Sequence, residues 1–138
     1  RWIKPTLGTR FHVDFDWWKK QGRDLRIYLH QHLCESCRAV YSSHIGSEMV
    51  DWIDPETAEV EPVDGLWHCL RTHCSKEPDY IIPATPLVDA VFRVFLANGN
   101  VPLTPVELGQ QINQPPDKIL QVIGRGRVYE GIKPLLDS

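Results

Sequence analysis

Cys34-Glu-Ser-Cys37 and Cys69-Leu-Arg-Thr-His-Cys74 hold all four cysteines of the chain, in two close pairs separated by a hairpin-like stretch. A tetrahedral structural Zn²⁺ takes four soft donors, and two tight turns that each present a pair of thiolates supply them without a large core. The first pair has the usual C-x-x-C spacing, and the second, C-x4-C, is a looser version of the same knuckle. The spacing therefore predicts one structural zinc site made of Cys34, Cys37, Cys69 and Cys74. His68 and His73 flank the second pair, and either can replace a cysteine. Disulfides and free, unligated thiols are the competing readings. A redox C-x-x-C of the thioredoxin kind requires the motif between a strand and a helix, whereas Cys34 follows a helix-like run.

Between the pairs, Met49 to Val63 reads as two short strands around an Asp54-Pro55-Glu56-Thr57 turn, and Asp64-Gly65 then turns the chain into Leu66 and Trp67. Knuckle, hairpin, knuckle is the order of a zinc ribbon, which residues 34–82 resemble. A treble clef would start a helix at the second pair, and Cys74 to Pro78 leaves little room for one. Tyr41, Trp52 and Trp67 are the aromatics expected to pack against the metal.

Upstream, Phe11, Val13, Phe15 and Trp17 alternate with His12, Asp14 and Asp16, which predicts a strand with one buried face. An H-x-D-x-D run can hold a divalent metal in a hydrolase, but no second ligand cluster or nucleophile motif accompanies it, and a solvated face or a helix cap is the plainer reading. Trp18, Leu25, Tyr28, Leu29 and Leu33 suit an amphipathic helix, whole or in two pieces, with Gly22 weakening it and Lys19, Lys20, Arg23 and Arg26 on its outer face. His30 and His32 near its end read as helix-end cations or as supports of the cysteines.

Pro78, Pro83 and Pro86 mark a joint, after which the pattern changes. Pro86 to Ala97 is apolar nearly all round and predicts a central helix closed by Asn98-Gly99. Thr104-Pro105-Val-Glu107 is a capping box with proline at the first helical position, opening a helix to Asn113. Gln114-Pro115-Pro116 turns into a third helix, Asp117 to Ile123, and Gly124 to Lys133 reads as a glycine-flanked wing. Residues 86–134 resemble a bacterial winged helix-turn-helix through Thr104-Pro105-x-Glu107-Leu108-Gly109-x-x-Ile112-Asn113 followed by Ile119. The resemblance implies a small residue packing at Gly109, a positive φ at Asn113 and an apolar contact at Ile119. It also makes Gln114, Lys118 and Gln121 the residues that would face a major groove, with Arg125 and Arg127 near phosphates.

The net charge of −3 hides a segregation: residues 1–33 carry seven Lys/Arg against three Asp/Glu, residues 34–82 three against ten, and residues 83–138 five against five. An acidic centre of this size does not lie along phosphates, so nucleic-acid contact falls to the two ends. The longest apolar run, around Val88 to Ala97, is broken by Asp89 and Arg93, so no membrane span is expected. A C-x-x-C zinc pattern points to a reducing cytoplasm. There is no Gly-rich phosphate loop and no nucleophile elbow. The sequence thus predicts an α+β chain in three parts: an N-terminal strand and basic helix (1–33), a zinc-ribbon-like module (34–82) and a winged-helix-like domain (83–138). The expected protein is non-enzymatic, binds structural Zn²⁺ and works as a DNA-binding or transcription-associated regulator on double-stranded DNA; the alternative is an adaptor that docks a protein partner.

Overall fold

The computed structural model describes residues 4–40, 49–53, 57–58 and 60–135. Asp54, Pro55 and Glu56 of the expected turn, and Tyr41 and the side chain of Trp52 of the expected aromatic cluster, lie outside them. The described chain is α+β, with short antiparallel strand pairs among α-helices. None of these helices is long and apolar enough to cross a membrane. The chain divides into two units, one formed by residues 1–23 with 81–138 and the other by residues 24–80. The N-terminal 33 residues are therefore split between two bodies instead of forming a part of their own.

In the first unit, strand β1 is Phe11–Val13. The alternation continues in sequence to Trp17, but the strand stops because the Asp14 carboxylate accepts from the Asp16 amide at 3.0 Å and caps helix α1, Phe15–Lys20. Burial of Phe11 and Val13 keeps the period-two reading for the residues that remain in the strand. The predicted single helix also breaks: Gly22 takes φ 66°, and Asp24 caps helix α2, Leu25–Gln31. Strand β1 pairs with a strand at the far end of the chain, β4, Ile132–Pro134, in the register Phe11↔Pro134 and Val13↔Ile132. On its other edge Phe11 exchanges two backbone hydrogen bonds with Leu103, at 2.7 and 3.0 Å. Asn100 closes the ladder, its side chain accepting from the Val13 amide at 2.8 Å and donating to the Val13 carbonyl at 2.9 Å. Trp18, almost fully buried, donates from its indole to the Glu130 carbonyl at 3.0 Å.

Helix α5, Leu87–Asn98, carries the centre of this core with Ala90, Val91, Phe92, Val94, Phe95 and Leu96 all buried, as its all-round apolar sequence requires. Helix α6, Pro105–Ile112, opens with the capping box: Thr104 N–H donates to Glu107 Oε1 at 2.9 Å and Glu107 N–H to Thr104 Oγ1 at 3.2 Å. Its end is set by Asn113 at φ 57°, ψ 50°, and helix α7, Pro116–Ile123, follows directly. Gly109 meets the turn into α7 at close range: a Cβ there would lie 2.6 Å from the Gln114 carbonyl oxygen. Ile119 and Ile123 turn the inner face of α7 into the core.

The second unit holds α2, helix α3 (Glu35–Val40), a hairpin of β2 (Met49–Ile53) and β3 (Val60–Asp64), and helix α4 (Gly65–Thr72) with a 3₁₀ turn at Cys74–Lys76. The hairpin register runs from Met49↔Asp64 to Ile53↔Val60. Leu29, Leu33, Leu66, Leu70 and Tyr80 form its buried apolar set together with Cys37 and Cys74. The ribbon expectation departs here in one respect. Both cysteine pairs stand on helical segments: the first opens α3, and the second spans α4 and the 3₁₀ turn. The chain leaves β3 straight into α4 because Leu66 and Leu70, one helical turn apart, are both buried.

Candidate metal centre

Cys34 follows α2 and opens α3, its carbonyl accepting the first helical bond from Arg38 N–H at 2.9 Å. Arg38 Nη2 in turn donates to the Gln31 carbonyl at 2.6 Å, which ties α3 to the end of α2. One turn on, Cys37 points inward and is buried. From the other side, His73 N–H donates to the Cys69 carbonyl at 3.0 Å, and Ser75 Oγ donates to the Arg71 carbonyl at 2.7 Å. These bonds curl the end of α4 so that His73 and Cys74 face α3. The two segments then meet at sulfur. Cys34 N–H donates to Cys74 Sγ at 3.2 Å, and His73 Nδ1 lies 3.2 Å from Cys34 Sγ and 3.7 Å from Cys37 Sγ.

Cys34, Cys37, His73 and Cys74 bring four donor atoms within 4.8 Å of one another. Around a tetrahedral zinc with Zn–S bonds of about 2.3 Å, neighbouring donors stand roughly 3.7 Å apart, so a small contraction closes this cluster on an ion. Three thiolates and an imidazole are the donor chemistry of structural zinc, and no fourth position is left open for water. The four-cysteine set expected from spacing is altered in one member: Cys69 is joined to Cys37 as a disulfide across the two segments, with Cα atoms 6.6 Å apart, and His73 stands in its place in the cluster. A sulfur in a disulfide is not a thiolate donor. The Cys37 sulfur thus belongs to two arrangements that cannot be occupied together.

The two free thiols differ in environment. Burial opposes the Cys34 thiolate, but hydrogen bonds from Ser36, the Cys37 backbone, Cys74 and His73 outweigh it and bring the thiol down to about 7. Burial pushes the Cys74 thiol up to about 11. Cys34 also lines an open cavity of about 450 Å³ with Glu35, Ser36, Ala39, Glu77 and Asp79. His73 has Glu77 Oε1 at 3.7 Å from its Nδ1.

No protein-family model, curated protein or solved structure matches the chain.

The remaining sequence candidates fall as follows. His68 lies on α4 and is not a member of the cluster, and His32 is buried with its ring edge-on to Tyr28, centroids 4.5 Å apart. Asp14 of the H-x-D-x-D run caps α1 and binds Lys133 Nζ at 3.0 Å, a structural use that involves no metal. The Lys133 hydrogen bond chiefly holds the Asp14 carboxyl below its ordinary value. Lys118 and Gln121 are exposed on α7, Gln114 is half-exposed just before it, and Arg125 and Arg127 are exposed just after it. On α7 itself Lys118 and Gln121, three residues apart, share one face, while Gln114 lies before the helix and Arg125 and Arg127 lie beyond its end. The Arg127 guanidinium lies 5.3 Å from the centre of the Tyr129 ring. The sequence left open whether His68 or His73 replaces a cysteine, and of the two it is His73, adjacent to Cys74, that stands in the cluster.

Proposed function

We propose that this chain is a non-enzymatic zinc protein that binds double-stranded DNA, its metal centre holding the second unit and α7 of the first unit meeting the duplex. The zinc ligands are Cys34, Cys37, Cys74 and His73, with three thiolates releasing their protons as the metal binds. A closed coordination sphere makes the ion structural, so its removal should unfold α3 and α4 without touching α5, α6 and α7.

The observation that carries the DNA reading is how charge follows the two units. Residues 1–23 bring six Lys/Arg against two Asp/Glu and residues 81–138 bring five against five, so the first unit is at +4, while residues 24–80, with four against eleven, are at −7. The basic N-terminal arm, separate in a linear reading, belongs to the same body as α6 and α7. That body therefore has the electrostatic drive that residues 83–138 lack alone. The helix–turn–helix of α6 and α7, with Gly109 packed, Asn113 left-handed and Ile119 buried, supports a winged-helix reading in which Lys118 and Gln121 on α7, with Gln114 just before it, face the groove and Arg125 and Arg127 lie near phosphates. Adaptor function is favoured instead by one feature, a small pocket of about 90 Å³ beside α7 with a mixed lining that includes Ile82, Thr85, Leu87, Ile112, Gln114 and Lys118.

Fluorescence anisotropy on a random-sequence duplex across a salt series separates the two. DNA binding predicts an affinity that falls linearly on a log–log plot, with Arg125→Ala/Arg127→Ala flattening the slope by about 1 to 2 units. A slope near zero for the unaltered chain transfers the function to protein docking.

A further inference from the structure

We propose that Cys69 is a redox trigger beside the zinc centre: its oxidation captures the Cys37 sulfur and expels the metal. The inference rests on the zinc reading above and adds the regulation of that site. Two observations carry it. The cluster with metal-compatible spacing is complete without Cys69, because His73 supplies the fourth donor. Yet Cys69 stands one turn back on α4 at disulfide distance from Cys37, and the two sulfurs are bonded. One arrangement needs the Cys37 thiolate, the other consumes it.

Exposure sets the order of events. Cys37 is 4% exposed and Cys74 fully buried, whereas Cys34 and Cys69 are both half-buried; of these two Cys69 alone is off the metal, and it is the thiol with which a small oxidant reacts first. The oxidant is a peroxide. The Cys69 thiol attacks one peroxide oxygen, the O–O bond breaks, and the products are a Cys69 sulfenic acid and water. The zinc-bound Cys37 thiolate then attacks the sulfenic sulfur, the S–S bond forms, and hydroxide leaves and takes up a proton. Each sulfur has given up one electron and the two peroxide oxygens have gained both. Zinc is left with Cys34, His73 and Cys74, one donor short of a closed tetrahedron, and dissociates. A dithiol reductant reverses the sequence by thiol–disulfide exchange.

The test uses the full chain, reduced and loaded with zinc, exposed to hydrogen peroxide in the presence of a chromophoric zinc chelator, with peptide mass mapping of the cross-link. The expected result is release of one zinc per chain in step with a Cys37–Cys69 link, and reversal by dithiothreitol and fresh zinc. Cys69→Ser should hold one zinc when reduced and release it at least tenfold more slowly under peroxide. A reduced Cys69→Ser that carries no zinc makes Cys69 a ligand and overturns the inference alone, as does release at the unaltered rate. Should the variant fail to fold, the mapping decides: a link between any other pair of cysteines overturns it. A reduced, unaltered chain without zinc overturns the metal reading and this inference with it.

Discussion

Replacing Gly109 by alanine puts a methyl group 2.6 Å from the Gln114 carbonyl oxygen. Ordinary carbon contacts need about 3.5 Å, so α6 and the turn into α7 must part by roughly 0.9 Å. The obstructing atom is backbone held by the Gln114 N–H to Gly109 carbonyl bond at 3.2 Å, and no side-chain rotation relieves it. Against a fixed backbone atom overpacking sits in the upper part of its usual range, about 2 to 3 kcal/mol, while alanine returns about 1 kcal/mol of helix propensity. The net expectation is a loss of about 1 to 2 kcal/mol confined to the first unit. Hydrogen exchange read by mass spectrometry on peptides covering 105–123 should then be about 5- to 30-fold faster, since each 1.4 kcal/mol is a factor of ten, with peptides covering 65–72 unchanged. Gln110→Ala, on the exposed face of the same helix, should stay within about 0.5 kcal/mol of the parent. Unchanged or slower exchange in Gly109→Ala would refute the close approach on which the α6–α7 geometry stands.

In the disulfide form, iodoacetamide should label Cys34 with a rate that rises through pH of about 7 as its thiolate forms, while Cys74, held up to about 11 and fully buried, stays unlabelled near neutrality; intact-mass and peptide mapping at several pH values checks both. The carboxyl of Asp14 is lowered in the folded chain, so the Asp14–Lys133 pair contributes stability above the unfolded value of 3.8 and loses it as the pH falls through the lower folded value. Asp14→Asn keeps an oxygen to cap α1 and removes the charge, so urea midpoints should show the parent more stable at pH 7 and the difference gone by about pH 2.

Local sequence grammar was legible wherever partners lie a few residues apart. Thr104 and Glu107 spell the capping box, the all-round apolar run of α5 spells a core helix, and Gly109, Asn113 and Ile119 occupy the positions their residue types suggested. What sequence spacing could not convey were pairings between distant segments. Strand β1 finds β4 and Leu103 about a hundred residues away, and that pairing moves the basic arm into the body of α5, α6 and α7. Asp14 looks like one more residue of an alternating strand until its carboxylate is placed over the Asp16 amide. At the metal centre, the convergence of the two cysteine pairs was readable from their spacing. The membership was not, because a helical turn at α4 brings Cys69 and His73 to the same side and only the fold decides which reaches the cluster.

Metal content of the reduced full chain, purified without chelator and measured by inductively coupled plasma mass spectrometry alongside circular dichroism before and after a strong chelator, tests the centre at Cys34, Cys37, His73 and Cys74 most directly. One zinc per chain, with loss of helical signal on its removal, is the predicted result. A metal-free chain whose spectrum the chelator leaves unchanged would contradict it.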